Sequence, residues 1–170
     1  MLTGGMMKKV LLIVYHSMTG GTAQMAQAAA EGAASEAEVG VWLRRAPEAT
    51  AQDVLDSDGY IFATPENLAG MSGMMKDFFD RTYYAAYERV AGRAFLTLIC
   101  AGSDGRNAAQ QIDRIATGWR LRPIAEPYIV CTHAQTPEQI LEPKKIGGSE
   151  LARCGELART LASGMALGIF

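Results

Sequence analysis

Hydroxyl groups and glycines are concentrated in three short segments of this 170-residue chain. They are His16-Ser17-Met18-Thr19-Gly20-Gly21-Thr22, Thr64-Pro65-Glu66-Asn67-Leu68-Ala69-Gly70-Met71-Ser72-Gly73 and Ala101-Gly102-Ser103-Asp104-Gly105-Arg106-Asn107. The first follows an apolar run at 10–14 and precedes an alanine-rich run at 23–30. A loop between a strand and a helix N-terminus points several free backbone N–H groups at one place, and the helix dipole adds partial positive charge there. Gly20 and Gly21 let the backbone approach an anion without side-chain collision, while Ser17, Thr19 and Thr22 add hydroxyl donors. Such a loop can cradle a phosphate. Taken alone, an ordinary glycine-rich strand–helix turn is the alternative.

Those loops need elements to hold them. Four apolar runs, 9–15, 38–43, 60–63 and 94–100, read as strands buried on both faces. A fifth, around 124–130, is interrupted by Pro123 and Pro127. Proline cannot donate to a ladder, so this strand belongs at a sheet edge. Helical spacing lies between the strands: Met25, Ala29 and Ala33 after the first, with small Ala26 and Ala30 letting that helix lie close to the sheet. Thr50 with Asp53 signals a short helix over 50–56. Ser72 can cap a helix whose inner face is Met75, Phe78, Phe79 and Thr82. Ala108, Ile112 and Ile115 mark another, and Leu151, Cys154, Ala158, Leu161 and Met165 the last. Strands alternating with helices predict an α/β fold, a parallel sheet with helices on both faces. Such sheets bind ligands beyond the carboxyl ends of the strands, where the strand order reverses. The three loops follow strands one, three and four, so all three should emerge on that edge.

Bulk properties narrow the function classes. With 49% hydrophobic and 20% charged residues the chain can bury a core as one domain, expected over 7–170, with 1–6 disordered or a cloning remnant. A net charge of -2 gives no basic surface for nucleic acid or membrane. The run 6–15 looks like a signal peptide, but its apolar part is short and polar His16 and Ser17 follow at once; it reads as the first strand of a cytoplasmic protein. Cys100, Cys131 and Cys154 are widely spaced, which argues for ordinary reduced residues rather than a disulfide framework or zinc site. His16 and His133 do not form a metal cluster either, so no metal ligand is expected.

Several phosphate ligands fail on the first loop. A nucleoside-triphosphate loop needs a lysine after its second glycine, and none follows here. A dinucleotide fingerprint needs Gly-x-Gly-x-x-Gly and an acid near the end of strand two, where Arg44 and Arg45 stand. A receiver domain needs acidic residues at the end of strand one, a place held by Tyr15 and His16. The remaining common tenant of this topology is flavin mononucleotide (FMN), sited between strands one and three.

The second loop sharpens this. Thr64-Pro65, then Met71-Ser72-Gly73 and a helix ending near Phe79-Asp80-Arg81, resembles flavodoxin-like proteins of the NAD(P)H:quinone oxidoreductase and FMN-reductase branch. Tyr15 to Thr22 resembles the FMN-phosphate loop of that family. The resemblance implies that Ser17, Met18, Thr19, Gly20, Gly21 and Thr22 hold the FMN phosphate. It implies that Pro65, Glu66, Asn67, Leu68, Ala69 and Gly70 wrap one side of the isoalloxazine ring. Ala101, Gly102, Ser103, Asp104 and Gly105 would take its pyrimidine side. The quinone reductases carry an aromatic-bearing insertion that this chain lacks between Asp80 and Arg93, so neither quinone specificity nor their tetramer is implied.

The expectation is a flavodoxin-like doubly wound sheet of five parallel strands, order 2-1-3-4-5, in a three-layer sandwich. FMN carries electrons from NAD(P)H to a quinone or similar acceptor; position and electrostatics come from the protein, and no catalytic side chain is named. Charge on Glu66 and Asp104 is expected to tune the flavin. Tyr83, Tyr84 and Tyr87 read as surface or interface residues that could alternatively flank the ring; Trp119 reads as packing. His16 would shape the phosphate loop and His133 sit in a solvated loop. A flavodoxin-type electron carrier between protein partners is the alternative function. The resemblance implies that carriers are strongly acidic and sandwich the ring between aromatics; here the net charge is -2 and the loop 66–70 has no tryptophan or tyrosine, although the tyrosines at 83–87 could supply such a lid.

Overall fold

The computed structural model describes residues 7–170; the expectation for residues 1–6 lies outside the described residues. Strand β1 (Lys9–Tyr15) carries Leu11, Leu12, Ile13 and Val14, all without solvent exposure. A strand apolar on both faces must be covered on both faces, and that sets the architecture. β1 pairs in parallel with β2 (Val39–Arg45) on one side and β3 (Gly59–Asn67) on the other. A two-residue β4 (Gly70–Met71) folds back antiparallel on the end of β3. Beyond β3 lies β5 (Ala94–Ala101), whose outer edge carries β6 (Arg122–Pro123) and β7 (Tyr128–Cys131).

The path β2-β1-β3-β5 ends in an edge position shared by β6 and β7. Counting those two as halves of one strand, the order is the expected 2-1-3-4-5. The fifth strand is split where its prolines stand: β6 covers Ala94 and Phe95, and β7 covers Leu98 to Ala101. Residues 124–127 therefore bulge opposite Leu96 and Thr97, and Pro127 has no N–H to close the gap.

Helices α2 (Ala51–Leu55), α3 (Gly73–Ala86) and α4 (Arg106–Gly118) cover one face of the sheet. An aromatic cluster forms that core, with the Phe62 and Phe79 rings 5.1 Å apart and Trp119 5.7 Å from Phe79. The caps are the expected ones: Thr50 and Asp53 form a capping box, and Ser72 Oγ accepts from Met75 N at 3.2 Å. Helices α1 (Gly21–Ala34) and α6 (Gly148–Ala166) cover the other face. One helix was not anticipated, α5 (Pro137–Leu141), because none of its residues is buried and it has no apolar period. Its signal was a capping box, Thr136 with Gln139, and Pro137 in the first turn. No described helix is long and apolar enough to cross a membrane.

The small residues of α1 bring it close to α6 as well as to the sheet. A Cβ on Gly32 would lie 2.2 Å from the Gly155 carbonyl oxygen, so the two backbones touch there. Gly32→Ala gains up to about 1 kcal/mol of helix propensity but forces the helices apart, a larger cost of about 1–3 kcal/mol. The expected net result in urea unfolding is a loss of about 1–2 kcal/mol. Gly148→Ala, where no atom lies within 4 Å of the new Cβ, should shift stability by no more than about 0.5 kcal/mol.

Candidate functional site

The loops after β1, β3 and β5 meet at the carboxyl edge of the sheet around a cleft of about 560 Å³. Thirteen of the expected residues line it. They are Ser17, Met18, Thr19, Gly21 and Thr22; Pro65, Glu66, Asn67, Leu68 and Ala69; and Ala101, Gly102 and Ser103. Gly20, Gly70, Asp104 and Gly105 lie outside the lining. The fourth wall was not foreseen: Thr132, Ala134, Gln135, Ile140 and Lys144, on the strap that joins β7 to α6 through α5.

The first loop presents unpaired donors at the N-terminus of α1. Gly20 caps α1 with φ of 95°, a left-handed conformation that suits glycine, and Ser17 Oγ accepts from Gly20 N at 3.0 Å. No side chain caps α1 and no acid stands in its first turn. Among the described residues, the amides of Gly21, Thr22 and Ala23 donate to no acceptor. Thr22 is 2% exposed and its hydroxyl likewise has no partner. Buried polar groups are nearly always satisfied, so a donor set left unpaired at the positive end of a helix fits an anionic ligand. Gly21 is required by space: a Cβ there would sit 2.6 Å from Cys100 Sγ.

In the second loop, β3 and β4 form a tight hairpin, pairing Asn67 with Gly70. Its two turn residues, Leu68 and Ala69, have φ of 49° and 65°. Left-handed backbone costs an ordinary residue about 1–2 kcal/mol, and this turn normally takes Asn-Gly. The strain is held by α4: Asn107 Nδ2 donates to the Ala69 carbonyl, and Gln111 Oε1 accepts from Met71 N at 2.9 Å. Gly70 faces Gln111 rather than the cleft. The Thr-Pro and Met-Ser-Gly motifs are joined by buried hydroxyls, with Ser72 N donating to Thr64 Oγ1 at 3.1 Å. Arg81 ties α3 to the loop after β2, donating to the Ala46 and Ala49 carbonyls at 2.9 and 3.0 Å. These motif residues hold the loop in place.

Glu66 fastens the second loop to the third. Its carboxylate accepts from Gly105 N at 2.9 Å and Ala108 N at 3.2 Å, at the N-terminus of α4. Both oxygens thus satisfy helix amides. Gly105, φ 86°, packs its α-carbon against Ile129 and Ile99 behind the cleft wall. Asp104 turns to solvent and pairs with Arg106 at 2.7 Å, which holds its carboxyl below the usual range.

The remaining candidates lie elsewhere. α3 starts at the cleft edge and runs 14 residues back along the sheet, about 20 Å at 1.5 Å per residue, so its C-terminal tyrosines reach the opposite end. There Tyr83 stacks on Trp119 at 5.8 Å and Tyr87 on Tyr83 at 6.0 Å, away from any position over a ligand in the cleft. His133, exposed and with φ of 62°, donates its amide to the Gly102 carbonyl at 2.8 Å and so joins the strap to the third loop. His16 stands at the start of the first loop, where burial and then the Arg45 charge lower its pKa. Cys100 lines the cleft, and burial pushes its thiol up to about 11.

Comparison with known proteins agrees with the family and fold. The family described as NADPH-dependent FMN reductase matches residues 44–136. The chain belongs to that family. The matched segment takes in the second and third loops and β7, and leaves the first loop and Lys144 outside. The chain is 38% identical over 92 residues to an NAD(P)H dehydrogenase (quinone) of Acidithiobacillus ferrooxidans, covering 42% of this chain and 46% of that protein. It is 35% identical over 95 residues to a flavodoxin of Aquifex aeolicus, covering 56% of this chain and 51% of the other. The chain thus spans about half the length of the curated relatives it matches. A solved archaeal flavodoxin superposes with a TM-score of 0.75 at 17% identity, covering 91% of this chain and 96% of that one. That likeness is one of fold: this family member has the flavodoxin-like sheet.

Because Glu66 caps α4 and joins two loops, its loss should be felt in the ligand-free protein. Glu66→Ala is expected to lower unfolding stability by about 1–2 kcal/mol, the usual cost of a lost cap. Glu66→Gln, which keeps an oxygen acceptor, should lose less than half of that. Thermal melts of the two variants check it.

Proposed function

We propose that this chain binds one FMN non-covalently in the cleft and passes reducing equivalents from NAD(P)H to a quinone or similar acceptor. The unpartnered donors of the first loop carry the proposal: the Gly21, Thr22 and Ala23 amides and the buried Thr22 hydroxyl would hold the phosphate. Thr19 and Ser17 add hydroxyls beside them, with Met18 at the rim and Gly20 and Gly21 setting the loop shape. Pro65, Glu66, Asn67, Leu68 and Ala69 would form one wall of the ring site, with Gly70 behind it, and Ala101, Gly102 and Ser103 the other, supported from outside the lining by Asp104 and Gly105. The domain would be 7–170, working in the cytoplasm. When bound, FMN supplies the redox chemistry, accepting hydride from the nicotinamide and delivering electrons to the acceptor.

The protein's own contribution is position. The strained hairpin is clamped onto α4, and Glu66 fixes it to the third loop, so the two walls keep their separation without a ligand. No phenylalanine, tyrosine or tryptophan stands among the described residues lining the cleft. A ring bound there has a face open to a nicotinamide, which favours the reductase over the electron carrier.

Thr22→Val keeps the side-chain shape and removes the hydroxyl. It should weaken FMN binding by about tenfold or more, the worth of a charge-assisted hydrogen bond of about 1.5–3 kcal/mol. Fluorescence titration of the ligand-free protein measures it, and unchanged affinity would move the phosphate elsewhere. Anaerobic mixing of the FMN-loaded protein with NADH and with NADPH separates enzyme from carrier. Bleaching of the flavin band within seconds, then recovery with a benzoquinone, is the expected outcome. Bleaching only by one-electron donors would favour the carrier.

A further inference from the structure

We propose that Lys144, held over the first loop by the strap, makes the cleft selective for a phosphorylated flavin over an unphosphorylated one. The inference rests on the FMN reading above and names a residue outside both the expected phosphate loop and the family-matched segment.

Among the described residues lining the cleft, Lys144 is the single cation and Glu66 the single anion. Glu66 is engaged at the N-terminus of α4. Lys144 is bound to the loop through its backbone: its N–H donates to the Thr19 carbonyl at 2.8 Å. Its carbonyl accepts from Gln24 Nε2 at 2.7 Å, while Gln24 Oε1 accepts from Ile146 N at 3.0 Å. The same Gln24 amide donates to the Gly20 carbonyl at 2.9 Å, so one side chain joins strap and cradle. The Lys144 Cβ lies 3.4 Å from the position a Cβ on Gly21 would take, over the first residue of α1.

The side chain is fixed before a ligand arrives. Its ammonium donates to the Gln139, Ile140 and Glu142 carbonyls at 2.7, 2.9 and 2.6 Å, closing the end of α5. Those acceptors are neutral, and Lys144 has no carboxylate partner among the described ion pairs. The positive charge therefore remains to act on the cleft. It already reaches Cys100, favouring the thiolate there against the stronger opposing effect of burial. A cation held in one conformation loses little further rotamer freedom when an anion binds beside it. A phosphate monoester brings about -1.5 to -2 charges at pH 7; riboflavin, the same ring and chain without phosphate, brings none. The Lys144 charge should thus separate the two ligands, whereas a lysine that only closes α5 would affect both alike.

The test is titration of ligand-free protein with FMN and with riboflavin, read by flavin fluorescence, at low and at raised salt. In Lys144→Met the FMN dissociation constant should rise about tenfold at low salt through loss of the charge alone, with riboflavin changing less than about twofold. The FMN effect should shrink at raised salt, and Lys144→Arg should keep most of the preference. Lys145→Met, removing an exposed neighbouring charge, should leave both constants unchanged. Lys144→Gln gives the same comparison if the methionine variant melts early. Equal losses for both flavins, or an unchanged FMN constant, would overturn the assignment and leave Lys144 as a support of the strap. Wild-type protein that binds neither flavin would instead overturn the FMN reading, a result distinct from either of those.

Discussion

The close approach of α1 to its neighbours is the constraint on which the cleft depends. Gly21 lets the start of the helix sit against Cys100 of β5, and Gly32 lets its far end touch Gly155 of α6. With both contacts made, the helix N-terminus is pressed into the carboxyl edge of the sheet and its free donors face the cleft. Moving the helix outward by the width of a methyl group would withdraw those amides from the cleft edge. The same small residues that make α1 look featureless in sequence therefore set the most chemically specific part of the site.

The other walls are held by polar groups acting across loops. Glu66 spends its carboxylate on the amides of Gly105 and Ala108, which ties the hairpin to α4. Asn107 and Gln111 grip the hairpin from the same helix and hold Leu68 and Ala69 in left-handed backbone that they would not adopt alone. Strain of this kind persists only where the surroundings over-determine the conformation. Here the surroundings are one helix, so the hairpin wall of the cleft and the α4 cap stand or fall together.

The strap completes the enclosure from a different direction. It leaves the sheet at β7, touches the third loop through the His133 amide, and returns to the first loop through Lys144 and Gln24. A cleft that three strand-end loops would leave open on one side is thereby bounded on four. The strap also brings Lys144, the one cation among the described residues lining the cleft.

Much of this was legible in the chain. Runs apolar on both faces required a covered parallel sheet, prolines at 123 and 127 required an edge, and Thr50, Asp53 and Ser72 marked helix starts through local cap chemistry. The hydroxyl- and glycine-rich first loop marked a helix start with free donors, because helix N-termini leave donors unpaired whatever else the chain does. All of these depend on residues within a few positions of one another. What tertiary structure decided was direction and partnership. Asp104 turned out to solvent to meet Arg106, Gly70 and Gly105 packed behind the wall, and the tyrosines of α3 stacked on Trp119 at the far end. Lys144 reached the first loop from more than a hundred residues away. Period and cap signals are short-ranged, whereas the side a loop residue faces is set by whichever distant segment packs against it, so only the folded chain made the fourth wall visible.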